Sequence, residues 1–312
     1  MDTKYDIITI GVAIMDSMIM GFDPVPISTA GYRAESGSLF VGGDAVNQAK
    51  ATAKLGARTG ILCHLGRDSA GDVIADSLMD DGVDTDLIVR SDDHQTPVTT
   101  IFVQEDGNRK SITNSAHRYN FHPERFTEVL TNTRAVMLGS LFRAPFNDPE
   151  VIYKVVRTVK QAGALVFADT KMPNYVFLSL SDIADSLPMI DYITPNLAEA
   201  EFYTGKKTPA EIANVFLDKG VKNVIVKLGE QGCYFANHET RLTVPTFNVA
   251  TVDATGAGDN FTAGFVTEIL RGSSPEEALR FANACGAICT TAIGSGTALK
   301  GREQILKFLG KN

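Results

Sequence analysis

No uninterrupted apolar run in this 312-residue chain approaches the length of a membrane span. A basic excess is missing too. The 37 acidic residues outnumber the 29 basic ones, and the formal charge of −8 argues against a general nucleic-acid or anionic-membrane partner. It does not exclude a local anion site built from backbone amides. Cysteine is sparse: Cys63, Cys233, Cys285 and Cys289 form no Cys-x-x-Cys pair, so they read as small core residues in a reducing cytosol. The histidines, His64, His94, His117, His122 and His238, show neither metal nor triad spacing, and there is no nucleophile elbow. The first candidate strand runs into "GVAIMD" and not into a G-x-G-x-x-G turn opening a helix, which counts against a Rossmann dehydrogenase. Repeats, low-complexity tracts and linkers are absent. The opening "MDTKYDIITIGVAIMDSMIM" carries acids within its apolar run, unlike a signal or transit peptide, so a cytoplasmic location is expected.

What the chain does contain is alternation. Apolar runs rich in β-branched residues at 5–14, 59–66, 135–141, 164–170, 191–196 and 223–229 read as strands. Several lack polar alternation, as expected of strands buried on both faces of a parallel sheet. Helical periods fall at 45–55, 69–81, 148–162, 209–219, 257–271 and 275–292. Many close on a glycine (Gly56, Gly82, Gly163, Gly220, Gly272) where a left-handed cap is wanted. This predicts right-handed βαβ units around a mostly parallel sheet. Two stretches break the rhythm. Residues 15–41 carry Pro24, Pro26 and several glycines, and 96–113 alternate like exposed strands around an Asp-Gly-Asn turn at 106–108. They are expected to form a small antiparallel sheet beside a core of 1–14, 42–95 and 114–312.

Four motifs carry chemistry. "GGDAVN" (42–47) puts paired glycines at a helix entrance, either for a tight turn or for close approach to a ligand presented to Asn47. "NLAE" (196–199) has capping-box spacing, and equally suits a polar pair near a hydrated Mg²⁺. "KLGEQG" (227–232) is a hairpin turn or a backbone wall for a nucleotide. In "DATGAGDN" (253–260), residues Thr255 to Gly258 should leave free amides at a helix start, an anion site reinforced by the dipole. Asp259 then falls in the first helical turn. An acid is favoured there by the dipole alone, but it is also placed to take a proton from an attacking hydroxyl.

In this order and spacing, "GGDAVN", "NLAE", "KLGEQG" and "TGAGDNFTAG" (255–264) resemble the PfkB, or ribokinase-like, family of carbohydrate kinases over nearly the whole chain. The resemblance implies an α/β, ribokinase-like three-layer sandwich with a mainly parallel central sheet and a small β-sheet lid. It implies ATP-dependent phosphorylation of a hydroxyl, preferably primary, of a sugar or sugar derivative, with Mg²⁺. It assigns Asp259 as the base and Gly256, Ala257 and Gly258 as the anion hole. Asp16, Gly42, Gly43, Asn47 and Asn114 would bind the sugar. Asn196, Glu199, Lys227, Gly229, Gly232 and Asn283 would serve the nucleotide, with Glu199 reaching Mg²⁺ through water. Asp253 and Thr255 would contribute to a monovalent-cation site, implying K⁺ activation, and the lid would pair two copies into a homodimer. The chain departs from the family at Ala254, where a hydroxyl residue is usual, at Asn260 beside the base, and at Ala298, near a common serine. The acceptor stays open: Tyr32, Arg33, Asn108, Arg109, Asp169 and Lys171 add polar candidates, with Lys171 or Arg33 favouring an acidic sugar. Phe40, Phe102 or Phe142 would offer a stacking surface if the acceptor were a nucleoside. A non-catalytic sugar or nucleotide sensor on the same scaffold is the remaining alternative.

Overall fold

The computed structural model describes residues 3–21, 34–103, 109–114 and 121–310. Tyr32, Arg33, Asn108, His117, the two prolines at 24 and 26, the side chain of Arg109 and the turn at 106–108 lie outside the described residues. In chain order come β1 (Tyr5–Ile10), β2 (Ile14–Met20), β3 (Ser36–Gly42), α1 (Asp44–Lys54), β4 (Thr59–Leu62), β5 (His64–Gly66), α2 (Ser69–Asp80) and β6 (Val89–Ser91). Next are β7 (Val98–Val103), β8 (Arg109–Thr113), α3 (Thr127–Leu130), β9 (Thr133–Leu141), α4 (Pro149–Gln161), β10 (Leu165–Thr170) and β11 (Tyr192–Ile193). The chain continues through α5 (Leu197–Thr204), α6 (Pro209–Asp218), β12 (Asn223–Lys227), β13 (Cys233–Ala236) and β14 (Arg241–Val244). It closes with α7 (Ala257–Leu270), α8 (Pro275–Cys289) and α9 (Arg302–Phe308).

The main sheet has eight strands in the order β14-β13-β12-β11-β10-β9-β1-β4, parallel from β12 to β4 and antiparallel at β13 and β14. Its two faces are both covered, which is why its strands read as continuous apolar runs. Ile8, Val136, Val166 and Val224 point into a core closed by α4 and α6, while Ile7, Met137, Phe167 and Ile225 meet α7 and α8 on the other side. Helix α4 shows the sequence logic. Asp148 caps it by accepting from Glu150 N, Pro149 opens it, and Val151, Ile152, Val155, Val156 and Val159 bury one stripe. Each such side chain contributes about 1.5–3 kcal/mol relative to exposure. The five expected glycine caps all adopt φ between 78° and 93°. No helix among the described residues is long and apolar enough to cross a membrane.

Several expectations are corrected. The run 59–66 breaks at Cys63: β4 stays in the main sheet, while β5 leaves it to pair with β6. The run 191–196 yields only the two residues of β11, because Pro195 has no N–H to continue the ladder, and its carbonyl accepts from Lys227 N at 2.8 Å. The helix from 275 stops at Cys289, where the Thr290 and Thr291 hydroxyls bond back to Ala287 O and Ile288 O, both at 2.8 Å. The lid is a four-stranded sheet, β3-β2-β7-β8, and it is mixed. Each insert supplies an antiparallel pair, and the two pairs join along parallel β2 and β7. Its register sets Phe40, Asp16, Thr99 and Thr113 in one row, and Leu39, Ser17, Thr100 and Ile112 in the next. Neighbouring rows face opposite sides of a sheet.

Candidate active site

The β12–β13 hairpin, the 246–254 segment and the starts of α7 and α8's inner face enclose a cavity of about 760 Å³. Lys227, Gly229, Gly232, Phe247, Ala254, Ala257, Gly258 and Asn283 line it. The hairpin read as one alternative in the sequence is present, and its turn forms one wall of this cavity. Gly229 and Gly232 have φ of 60° and 92°, and this turn presents main chain to the cavity. Asn283 is 3% exposed and donates from Nδ2 to Val244 O (3.1 Å) and Pro245 O (3.2 Å), so it fixes that wall from behind.

At one end of the cavity α7 begins. Gly256 is its N-cap with φ 76° and no side-chain cap, and a Cβ there would collide with Ser295. The amide cradle is narrower than expected. Thr255 N donates to Asp253 Oδ1 (3.0 Å), and Ala257 N closes a turn onto Ala254 O (3.2 Å). Gly256 N and Gly258 N donate to none of the described acceptors. Asp253 also accepts from Thr255 Oγ1 (2.7 Å) and, on Oδ2, from Gly294 N (3.0 Å). The carbonyls of Thr255 and Ser295 converge on Cys289 Sγ at 3.5 and 3.4 Å. Asn260 staples the turn to this loop, donating to Gly256 O (2.9 Å) and Ser295 O (2.7 Å). All four cysteines are free and buried.

Asp259 is 9% exposed and bonds to α1. Its Oδ2 accepts from Asn47 Nδ2 (2.8 Å), whose Oδ1 in turn accepts from Ser295 Oγ (2.6 Å). Burial, and then the charge of Asp44, push the Asp259 carboxyl up to about 8, against the pull of Lys171. Burial and neighbouring acid therefore set the direction of the shift, toward the range in which a general base is most effective. Asp169, at the end of β10, accepts from Lys227 Nζ (2.7 Å), Gln48 Nε2 (3.2 Å) and Thr262 Oγ1 (3.2 Å). Burial pulls Lys227 down, but the carboxylates of Asp169 and Glu199 reverse that and hold it charged. Its Nζ also lies 3.3 Å from where a Cβ on Gly258 would sit, so this ammonium abuts the anion cradle.

On the lid side, Asp44 accepts from Ser140 Oγ (2.6 Å) and Lys171 Nζ (3.0 Å). Asp16 packs so closely on Gly42 that a Cβ there would strike its Oδ2. Burial, with Asp44's charge added, raises the Asp16 carboxyl to about 6. Gly43, with φ 101°, brings α1 against Val12 O. Asn196 and Glu199 form the full capping box, bonded at 3.0 and 3.1 Å, and Glu199 Oε2 also accepts from Thr170 Oγ1 (2.8 Å). Burial raises the Glu199 carboxyl, partly offset by Lys227. Asn114 is placed differently from the others: both ends of its amide hold the lid's entry, through Thr96 O (3.1 Å) and Val98 N (3.2 Å). Of the three candidate rings, Phe142 is fully buried and stacked on Tyr203, and Phe102 lies on the lid face opposite Asp16. Phe40 alone shares Asp16's row, with its ring against Gly294.

Gln48, Asp44 and Thr262 had no assigned role in the sequence, and Ser295 entered only through the carbonyls of 289–298 as parts of the cation site. A signal existed for Gln48. It is a fully buried amide three residues from Ala45 and four from Thr52, on the packed side of α1.

An uncapped helix start on one side of a buried carboxylate and a lidded recess on the other suits transfer of an anionic group to a hydroxyl. Known proteins of this shape agree. Residues 10–301 match the pfkB family carbohydrate kinase. A ribokinase from Haemophilus influenzae is 30% identical over 276 residues, covering 86% of this chain and 87% of that protein. Fructokinase-1 from Oryza sativa subsp. japonica is 28% identical over 310 residues, covering 94% and 95%. The Arabidopsis thaliana ribokinase solved with ribose and ATP superposes with a TM-score of 0.86 at 28% identity, covering 98% of each chain. The chain belongs to the pfkB family of carbohydrate kinases, and is thus a phosphotransferase with an alcohol group as acceptor.

Proposed function

We propose that this kinase moves the γ-phosphoryl group of ATP to a hydroxyl, preferably primary, of a sugar or sugar derivative. One observation carries the reading: a buried, raised-pKa Asp259 stands within the first turn of α7, directly after its uncapped Gly256–Gly258 start, at the end of a nucleotide-sized cavity. Asp259 takes the proton of the attacking hydroxyl, while the Gly256 and Gly258 amides and Lys227 Nζ hold charge developing on the phosphoryl oxygens. Ala257 supports the cradle through its turn to Ala254. Asp16 and Asp44 orient acceptor hydroxyls under the lid, Gly42 and Gly43 let backbone approach, and Asn47 holds the base. Gly229, Gly232 and Asn283 form the nucleotide wall.

Mg²⁺ fits the buried carboxylate of Glu199 with Asn196 beside it, reached through water, and supplies charge neutralisation to the phosphates when bound. The converging Thr255 and Ser295 carbonyls, with Asp253 beside them, suit a monovalent cation, and titration with KCl against a choline salt reads out activation. The lid's outer row exposes Leu39 (68%) and Ile112 (64%), which suits pairing with a second copy. Free, buried thiols suit a reducing, cytoplasmic setting.

The test is an ADP-release assay over a panel of pentoses, hexoses, sugar acids and nucleosides. Turnover on at least one free sugar is expected. The half-buried ring of Phe40 beside the site favours one second reading, a nucleoside acceptor stacked on it. Turnover confined to nucleosides would replace the sugar reading with that one.

A further inference from the structure

The Asp259–Asn47 bond does not exhaust what α1 does to the base. Gln48, the next residue, is fully buried, and its one amide nitrogen donates to both carboxylates of the site: Asp169 Oδ2 at 3.2 Å and Asp259 Oδ1 at 3.3 Å. The amide presents its NH₂ to both carboxyls, one hydrogen to each. The far end bears the consequence. Gln48 Oε1 is buried with no hydrogen-bond partner among the described residues. An orphaned buried carbonyl costs stability that a methionine or leucine of similar volume would not lose. The molecule thus sacrifices stability at a point touching the base, the pattern expected of a residue kept for function.

The two carboxylates are not equally dependent on this amide. Asp169 already has Lys227 Nζ and Thr262 Oγ1, whereas Asp259 is held by the amides of Asn47 and Gln48. Around Asp259 stand Asp44 from α1, Asp169 and Lys171 from the end of β10, Lys227 from β12 and Cys289 from α8. Within that ring Gln48 is the neutral group bonded to both Asp169 and Asp259.

We propose that Gln48 is a positioning residue for phosphoryl transfer: its amide bridges Asp169 and Asp259, fixing their separation and aiming the base between the lidded recess and the anion cradle. The inference rests on Asp259 being the base of the proposed kinase reaction. Gln48 touches no reacting atom and acts through the aspartate.

The experiment compares wild type with Gln48→Met, which fills the space without donating, and Gln48→Glu, which keeps the shape and adds an acid. Thermal unfolding, the pH profile of kcat/KM and the ¹³C carboxyl titration of Asp259, assigned with Asp259→Asn, are read for each. The methionine variant is expected to melt no lower than wild type, yet to lose about 10- to 100-fold in kcat. Its Asp259 midpoint and acid limb should move up by about one pH unit, because an ionised carboxylate has lost a donor beside a second acid. The glutamate variant should move them further in the same direction, and it carries the test if the methionine variant fails to fold. A midpoint and acid limb that stay at the wild-type position overturn the inference, as does a downward move in the glutamate variant. Wild type without turnover on any acceptor overturns the kinase reading instead. The carboxyl titration needs no substrate, so the two failures are told apart.

Discussion

The two halves of the site are built from different materials. The cavity half is main chain and small residues: the glycine turn at 229–232, the Gly256–Gly258 start of α7 and Asn283, whose amide braces backbone. The lid half is a mesh of individual side chains, in which Asp44, Asn47, Gln48, Asp169, Lys171 and Asp259 each lean on a neighbour. Backbone recognises the shape common to all nucleotides and offers little to titrate. Side-chain meshes recognise particular hydroxyl patterns and respond to pH. The first half should therefore break through conformation, the second through charge.

The largest effect is expected on the charged half. Asp259→Asn should fold and bind ATP by calorimetry while losing turnover by roughly three orders of magnitude or more. Retained turnover would mean that some other group removes the proton. On the backbone half, Gly256→Ala forces a side chain into φ 76° and against Ser295. A loss of about 100-fold in kcat is expected, with roughly 1–3 kcal/mol of stability in urea unfolding. The third contrast is thermal. Asp259 titrates near 8 when folded against 3.8 ordinarily, so the native state holds its proton more tightly. That contribution is complete below about pH 4 and is lost as pH rises through about 8. Asp259→Asn escapes the loss, so its melting temperature should exceed that of wild type by a margin growing by a few degrees between pH 5 and 8.5. A constant margin would show that the carboxyl is not raised. The smallest effect belongs to Ala254→Ser. It restores the family's hydroxyl on the cavity wall, and less than about a twofold change in kcat/KM is expected because the cradle is made of amides.

The same division governs how much the sequence disclosed. The α/β alternation was readable because strands covered on both faces lose their polar alternation, and glycine marks the helix ends. The lid's location was readable from the broken rhythm of 15–41 and 96–113. Its parallel β2–β7 junction was not, since alternation says which way side chains point and nothing about strand direction. The Gly256–Gly258 turn and the place of Asp259 in the first turn of α7 were visible because both are local features. Ala257's amide was expected to be free and is instead closed onto Ala254, a detail of turn geometry that residue types leave open. Asp44, Gln48 and Ser295 acquire meaning only when α1 packs on α7 and the 290–295 loop. That is tertiary information. Asn196 and Glu199 were ambiguous between cap and ligand, and the structure shows the cap in full without removing the carboxylate from the site.

The bond from Asn47 to Asp259 joins residues 212 positions apart, and β1 finds its partner β9 only at Thr133. A ribosome therefore releases the lid strands β2 and β3 and α1 long before Asp259 exists, and the central sheet must wait for more than a third of the chain. Loop closure over such distances is slow and entropically late. The Asp259 carboxylate cannot reach its seat until almost everything before it has been threaded into place. On the kinase reading proposed above, a partly folded chain has no way to act on either substrate, and the first turnover of a new molecule reports that Asp259 has reached its seat on α1.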